Sequence, residues 1–388
     1  RGYLRTPSTA KNVVTIGAVE SILSGYAGPS SVVLGSFSST GPTQDGRIKP
    51  DICGNGVGVY SSVPGGGYDT WDGTSMATPN CSGSAGLLVQ HYRATHDNND
   101  MLAATMKALL IHTADEAGLA NGPDYSYGWG LMNTASAALL ITLDADDPGS
   151  IINDDTLVEG ETIDVPVNVP GGTPLKVTMV WSDPAGAADA NPALVNDLDI
   201  TVTDSEGTTY YPWSLDPSSP EAPAVQTTSN DLDTVEQVTI AAPTAGTYTI
   251  HISHKGDTLT GGSQAFSTII TGTTSADVVD MTLNSPVVGG DTTTGTIVLD
   301  DPAPLGGMVV SLTSSDKKVA RVPSTVRIRA GASSGTFNIT TYVLFAAKEA
   351  TITATSTNGI FERTLRVTPP GILSFTINPS SILTGASA

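Results

Sequence analysis

Residues 73–79 read Gly73-Thr74-Ser75-Met76-Ala77-Thr78-Pro79, and the apolar run Gly86-Leu87-Leu88-Val89 follows them. This pattern predicts a turn at the glycine and then a helix over residues 74–92. The backbone N–H of Ser75 then belongs to the first helical turn, whose donors have no partner inside the helix. Those donors and the helix dipole favour negative charge beside the Ser75 hydroxyl.

A serine at the start of a helix has two interpretations. In most proteins Ser or Thr at this place caps the helix and has no chemical role. Nucleophilic catalysis uses the same geometry, because the serine Oγ attacks a carbonyl while the nearby N–H stabilises the oxyanion. The heptapeptide is intact, and its resemblance to a known catalytic serine motif favours the second interpretation, with Ser75 as both nucleophile and oxyanion donor.

The heptapeptide resembles the serine motif of the subtilisin-like serine proteases (subtilases, peptidase family S8). The resemblance covers about residues 1–140 and implies an α/β catalytic core that hydrolyses peptide bonds in proteins or peptides. It also implies that Thr74 and Met76 flank the substrate pocket. The further segments that carry the resemblance are residues 12–19, 37–42, 49–52 and 128–130.

The chain departs from the family pattern in what precedes the serine. Subtilases order their triad as Asp, His, Ser, yet no histidine precedes Ser75 and the aspartates before it lie in none of the family's motifs. The family's side-chain oxyanion donor, an asparagine, is missing too. We expect the C-terminal part of a secreted endopeptidase, inactive by itself, whose missing N-terminal part supplies those groups. The alternative is a non-catalytic extracellular binding or adhesion protein on a degenerate protease core.

Charge is unevenly distributed along the 388 residues, whose net charge is −21. Between Lys107 and Lys255 lie 22 carboxylates and one base, Lys176. The acidity argues against a nucleic-acid partner, since phosphate binding needs clustered Lys and Arg. No apolar run approaches the ~20 residues of a membrane span. The shift in charge marks domain boundaries.

After Leu143 the pattern becomes purely β, with short alternating strands between Gly, Pro and Asp turns. We expect a multidomain fold: a partial α/β subtilisin-like core, an all-β jelly-roll barrel and an Ig-like β-sandwich. The barrel resembles the P domain of proprotein convertases, and the sandwich resembles bacterial Ig-like modules. The acidic stretch 144–149 is the expected linker. Residues 281–289 match residues 375–385 at an offset of 94 (378 − 284), which predicts a second repeat. The expected domains are 1–143, 150–273, 277–370 and the start of the repeat at 371–388.

Hard oxygen ligands crowd one part of the barrel and suggest a structural calcium site, since Ca²⁺ prefers such ligands. Alternation along a strand places Asp197 and Asp199 on the same face. A solvated acidic rim is the alternative. The candidate ligands are Asp183, Asp189, Asn196, Asp197 and Asp199.

Two smaller signals concern cysteines and location. The resemblance brings the segments of Cys53 and Cys81 close together, so a disulfide and two buried free thiols are the alternatives. The module types imply a secreted, extracellular, bacterial protein.

Overall fold

The computed structural model describes residues 4–256, 258–274, 276–303, 307–329, 331–356 and 359–371. These residues fall into two compact units. The first unit comprises the described residues within Arg1–Ala276, Asp301–Met308 and Arg329–Ala332. The second unit comprises the described residues within Asp277–Asp300, Val309–Ile328 and Ser333–Ala388. None of the helices described is both long and apolar enough to cross a membrane.

The first unit begins with an α/β part. Strands β1 (Ile16–Glu20) and β2 (Ile52–Val57) pair in parallel, with Ile16 opposite Ile52. Helix α1 (Thr74–Thr95) packs on this pair and buries Ala77, Cys81 and Leu88. The remaining elements are a hairpin of β3 (Val59–Val63) and β4 (Gly67–Trp71), and the helices α2 (Ala103–His112) and α3 (Thr134–Asp146).

Two four-stranded antiparallel sheets complete the first unit, in the orders β10-β7-β12-β5 and β6-β11-β8-β9. Their inner faces share one apolar core that includes Trp181, Phe266 and Ile250. We call this pair of sheets the middle sandwich. Its strands are β5 (Ile152–Val158), β6 (Ile163–Val169), β7 (Leu175–Trp181), β8 (Leu198–Thr203), β9 (Thr209–Tyr210), β10 (Val235–Ile240), β11 (Gly246–His254) and β12 (Ser263–Thr271).

The β10-β7-β12-β5 sheet is buried on both faces, because α2 packs on its outer face. Val180, Val235 and Ile269 share a second core with α/β residues such as Leu109 and Ile141. This burial explains why six of the seven residues of β7 are buried, instead of every second one. The α/β part and the middle sandwich therefore share a continuous core.

The acidic stretch expected to be a linker is instead the end of α3. Asp144 is buried, and its Oδ1 accepts hydrogen bonds from the N–H groups of Gly149, Ile151 and Ile152. His96 approaches its Oδ2 at 3.2 Å. The expectation was wrong because the Asp144 carboxylate is used to fix the chain as it enters β5, not to solvate a flexible segment.

The second unit is all β, with one sheet ordered β13-β15-β19-β17 and another ordered β14-β21-β20-β16-β18. Burial alternates along its strands, as in Met308–Ser314, so each sheet has an inner apolar face. The strands are β13 (Val278–Leu283), β14 (Val287–Val288), β15 (Thr292–Leu299), β16 (Met308–Ser314), β17 (Ala320–Arg321), β18 (Thr325–Ile328), β19 (Ser334–Thr341), β20 (Lys348–Ser356) and β21 (Gly359–Thr368).

The expected change from an α/β part to an all-β remainder is confirmed at this level. The helix predicted over residues 74–92 is present and extends to Thr95. The stretch from residue 52 to residue 63 is divided at Gly58 into β2 and β3, which pair with different partners. The second repeat expected at residues 371–388 lies outside the described residues, apart from position 371.

Candidate active site

Ser75 lies in the first turn of α1, exposed, directly after the turn at Gly73. Gly73 has φ 153° and ψ 158°, a conformation that only glycine adopts without strain. The carbonyl of Gly73 accepts from the N–H groups of Met76 and Ala77, whereas no residue in the described part of the chain accepts from the Ser75 N–H. The Ser75 N–H is therefore free to donate to an oxyanion beside the Ser75 hydroxyl.

Glycines on β2 hold the start of α1 against the parallel strands. The Gly73 N–H donates to the Gly56 carbonyl at 2.7 Å. A Cβ on Gly56 would lie 2.8 Å from the Gly73 carbonyl oxygen, and one on Gly54 would lie 2.5 Å from the Cys81 Sγ. Only glycine leaves enough room at these two positions for the helix to approach the strand so closely. This close approach fixes the position of Ser75.

The neighbours of Ser75 lead into two different cavities. Ser75 and Met76 line a cavity of about 420 Å³ whose opposite wall is the β3–β4 hairpin; we call it the serine pocket. Thr74 lines a separate cavity of about 490 Å³, together with residues such as Phe37. Thr74 and Met76 therefore line different cavities, and Met76 shares its cavity with Ser75.

None of the five histidines, all within the described residues, lies beside Ser75. His91 bonds to Thr142, and the rings of His96 and Tyr92 stack with centroids 3.9 Å apart. His251 contacts Asp164, and His254 accepts from the Gly160 N–H. His112 is buried between Thr178 and Thr271, and burial lowers its pKa well below the ordinary value. Among the described residues, Ser75 has no imidazole base.

Cys53 on β2 and Cys81 on α1 are both free thiols and both buried. Burial raises the pKa of Cys53 beyond its ordinary range and that of Cys81 to about 12. Of the two alternatives from the sequence, the structure has the buried free thiols and not the disulfide. Both side chains serve as small apolar groups between strand and helix.

Two of the five calcium candidates have structural roles. The Asp183 carboxylate accepts from the N–H groups of Val195 and Asn196 at 2.9 and 2.8 Å and pairs with the Lys11 ammonium. The Asn196 side chain accepts from the Thr260 N–H and donates to Gln264. Because protein donors already occupy these oxygens, Asp183 and Asn196 do not fit a calcium shell. Asp189 lies apart from them, on a cavity of about 870 Å³.

Asp197 directly precedes β8 and Asp199 lies within it, and each keeps a buried carboxylate oxygen without a hydrogen-bond partner among the described residues. Burial, together with the charges of Asp199 and Asp231, raises the pKa of Asp197 to about 7. The Lys255 ammonium pairs with Asp231 in the same place. In the described part of the chain, no three acidic, His or Cys side chains are arranged to hold a metal ion.

Sequence reasoning missed Glu236, which belongs to the same acidic group. It is fully buried on β10, where one carboxylate oxygen accepts from the Ile200 N–H at 2.6 Å and the other has no partner. Burial, with Asp199 adding to it, raises the pKa of Glu236 well above its ordinary value. The available signal was a carboxylate beside the β-branched residues Val235, Val238 and Ile240 of one strand.

An exposed serine with a free N–H at the start of a helix, packed on parallel strands, has the geometry that nucleophilic serine catalysis uses. Residues 2–130 match the family model described as Subtilase family, Peptidase S8. These residues therefore carry the sequence pattern of a peptidase S8 domain.

Curated relatives support the same family. Bacillopeptidase F of Bacillus subtilis is 39% identical over 112 residues, which are 28% of this chain and 8% of that protein. Serine protease AprX of the same organism is 34% identical over 127 residues, 29% of this chain and 27% of that protein. The Serine protease/ABC transporter B family protein tagA of Dictyostelium discoideum is 28% identical over 270 residues, 60% of this chain and 15% of that protein. This chain spans 27% or less of the length of these three relatives.

Proposed function

We propose that the chain is part of a secreted endopeptidase of the subtilisin type that cleaves proteins or peptides through an acyl-enzyme on Ser75. The observation that carries this proposal is the exposed Ser75 hydroxyl beside its own free N–H. The hydroxyl attacks the peptide carbonyl, and the N–H holds the negative charge that develops on the carbonyl oxygen. The serine pocket beside the hydroxyl accommodates the neighbouring part of the substrate.

The proton of the Ser75 hydroxyl needs an acceptor, and this chain does not place one there. A hydroxyl without an adjacent base is a weak nucleophile. We therefore propose that a histidine and its aspartate partner come from polypeptide outside these 388 residues, as a further part of the same protein. The absence of an imidazole near Ser75 equally favours a second function, a non-catalytic extracellular binding protein on a protease core.

A fluorophosphonate probe, which labels activated serines, separates these two functions. We expect no labelling of the 388-residue chain, and labelling of Ser75 in the full-length protein at least ~10²-fold faster, because a positioned base contributes that much or more. Ser75→Ala is the control that identifies the labelled residue. An unlabelled full-length protein would establish the binding protein instead, and strong labelling of the 388-residue chain would show that no outside base is needed.

We propose a specific fold type for each of the two β regions, as the sequence suggests. The middle sandwich is a jelly-roll barrel similar to the P domain of proprotein convertases, and its two four-stranded sheets around one core support this. The second unit is an Ig-like module, supported by its sheets of four and five strands. Such modules act as spacers on secreted proteins, which is the basis for proposing secretion.

We also propose that the middle sandwich binds calcium, now restricted to Asp197 and Asp199. Their buried carboxylate oxygens without protein donors are the ligands that Ca²⁺ prefers. In the structure the Lys255 ammonium pairs with Asp231 beside these carboxylates. A calcium ion would therefore have to displace this ammonium group. Bound calcium would offset the repulsion between the two carboxylates and stabilise the folded state.

Asp197→Asn tests this assignment through pH and calcium. The folded-state pKa of Asp197, about 7, lies above its unfolded value, so its stabilising contribution is present below pH 4 and is lost as pH rises through 7. Without calcium we therefore expect the variant to be more stable than the wild type at pH 8, with the gain shrinking toward pH 5.

Calcium in large excess should raise the unfolding free energy of the wild type at pH 8 by about 2–3 kcal/mol, which is the effect at roughly a hundredfold excess over Kd. The Asp197→Asn variant should show a smaller rise. Thermal denaturation in EDTA and in calcium measures both. An unfolding temperature of the wild type that is the same in EDTA and in calcium would contradict the calcium proposal.

A further inference from the structure

The β3–β4 hairpin forms one wall of the serine pocket. In the register of this hairpin Val59 lies opposite Trp71 and Ser61 opposite Asp69, so these four side chains share a face, and all four line the pocket. Tyr60 belongs to the other face, where its ring stacks on that of Tyr68 with centroids 5.6 Å apart, and it also reaches the pocket lining. Asp69 and Trp71 therefore lie side by side on the same cavity as Ser75.

Asp69 is the charged side chain among the residues that line the serine pocket. Its Oδ1 accepts from the Thr70 N–H at 2.8 Å, and its Oδ2 accepts from the Trp71 Nε1–H at 3.2 Å. Both donors are neutral, and within the described residues no Lys or Arg forms an ion pair with Asp69. The carboxylate is held in one orientation while its charge stays uncompensated.

The surroundings of Asp69 suit a long cationic side chain. The Trp71 ring is 47% exposed and lies on the same face, where a ring can attract a cation. Val59 and Pro79 add apolar surface to the pocket, against which the methylene stem of Lys or Arg can pack. The net charge of −21 favours the approach of basic peptides in general.

We propose that Asp69, oriented by Trp71, is a specificity-determining residue that selects substrates with Lys or Arg close to the bond cleaved at Ser75. The cationic end of that side chain pairs with the Asp69 carboxylate and contacts the Trp71 ring. This assignment rests on the proposed function, because the serine pocket is a substrate subsite only if Ser75 is the nucleophile.

Peptide binding to the 388-residue chain tests the assignment without needing catalysis. The probes are two alanine-based hexapeptides that differ in one residue, lysine against its uncharged isostere norleucine. Intrinsic fluorescence follows binding, since Trp71 lines the pocket and is exposed, whereas Trp129 and Trp181 are buried and Trp213 is half-buried away from the pocket. We expect the lysine peptide to bind about tenfold more tightly, from one ion pair and one cation–ring contact.

Three variants make this result specific. Asp69→Asn should bring the two peptides to within about twofold of each other, and Asp69→Glu should keep most of the preference. Asp155→Asn is the matched control: it is an exposed aspartate that also accepts from the N–H of the next residue, away from the pocket. It should leave the preference unchanged.

The outcomes separate this assignment from the proposed function. Equal binding of the two peptides by the wild type, or a lysine preference that survives Asp69→Asn, overturns the role of Asp69. Failure of the full-length protein to react with a fluorophosphonate overturns the proposed function, whatever the peptides do. A lysine preference that depends on Asp69, in a protein that does label, supports both.

Discussion

Replacing Asp51 by asparagine (Asp51→Asn) is expected to lower the free energy of unfolding by about 3–5 kcal/mol, the usual cost of breaking a buried ion pair. Asp51 is buried between two ammonium groups: Lys107 Nζ lies 2.9 Å from its Oδ1, and Lys49 pairs with its Oδ2. Its Oδ2 also accepts from the Thr15 N–H at 2.6 Å, beside the start of β1. The asparagine amide would leave two buried lysines without this carboxylate.

The physical reason appears in the pKa values of the pair. Burial by itself raises the pKa of Asp51, yet the ammonium groups of Lys107 and Lys49 hold it below its ordinary value. Burial and the Lys107 charge lower the pKa of Lys49 to about 8. Without Asp51 that pKa falls further, so the folded variant sheds a proton that the unfolded chain retains up to about pH 10. The stability deficit should therefore shrink as pH rises from 7 to about 8, the pKa of Lys49 in the wild type, and stay level above it, because there both folded proteins have lost this proton.

Chemical denaturation at several pH values measures this effect. Asp100→Asn is the matched control, because Asp100 pairs with Arg93 at the surface, where such pairs contribute about 0–1 kcal/mol. A loss for Asp51→Asn no larger than that of the control, or one that does not change with pH, would contradict a buried charge network.

Asp183→Asn is expected to cost about 3 kcal/mol or more, and to cost the same in EDTA and in calcium. The Asp183 side chain is fully buried and receives two backbone N–H groups and the Lys11 ammonium. The substitution turns one acceptor oxygen into a donor that faces another donor, and leaves Lys11 without its counter-charge. Asn12 also exchanges two hydrogen bonds with the Asp183 backbone, at 2.8 and 3.1 Å, and these should survive.

This prediction distinguishes a structural carboxylate from a metal ligand in the same acidic region. If Asp183 held calcium, its replacement would be harmful in calcium and nearly neutral in EDTA. Denaturation curves of the wild type and the variant in both solutions decide between the two roles. Equal losses in both solutions are expected, because Asp183 ties residues 11–12 to the middle sandwich through protein contacts alone.

Local chemistry at Ser75 could be predicted from the sequence, because it depends on neighbours in the chain. The glycine turn, the helix start and the free N–H all lie within residues 73–77, and the structure has each of them. The purely β pattern after Leu143 was equally visible in the sequence, and the middle sandwich consists of such short strands. Apolar and β-branched patterns act at short range, so they are visible before the chain is folded.

What the acidic residues do could not be predicted in this way. Four aspartates and Asn196 looked alike as calcium ligands, yet backbone donors occupy the Asp183 carboxylate, and Asp197 keeps an oxygen without a partner. Asp144 resembled part of a linker and instead fixes the end of a helix. The role of a carboxylate depends on which donors fold against it, and those donors are distant in the chain.

The sequence by itself determined the similarity of residues 2–130 to the subtilases, the helix that begins beside Ser75, and the change from an α/β part to β sheets. Only the tertiary structure decided that the α/β part and the middle sandwich share one buried core, and that the β3–β4 hairpin places Asp69 on the same cavity as Ser75. The physical reason is range. Periodicity and turn chemistry act over a few residues, whereas burial, charge pairing and pocket walls arise from segments that meet only when the chain is folded.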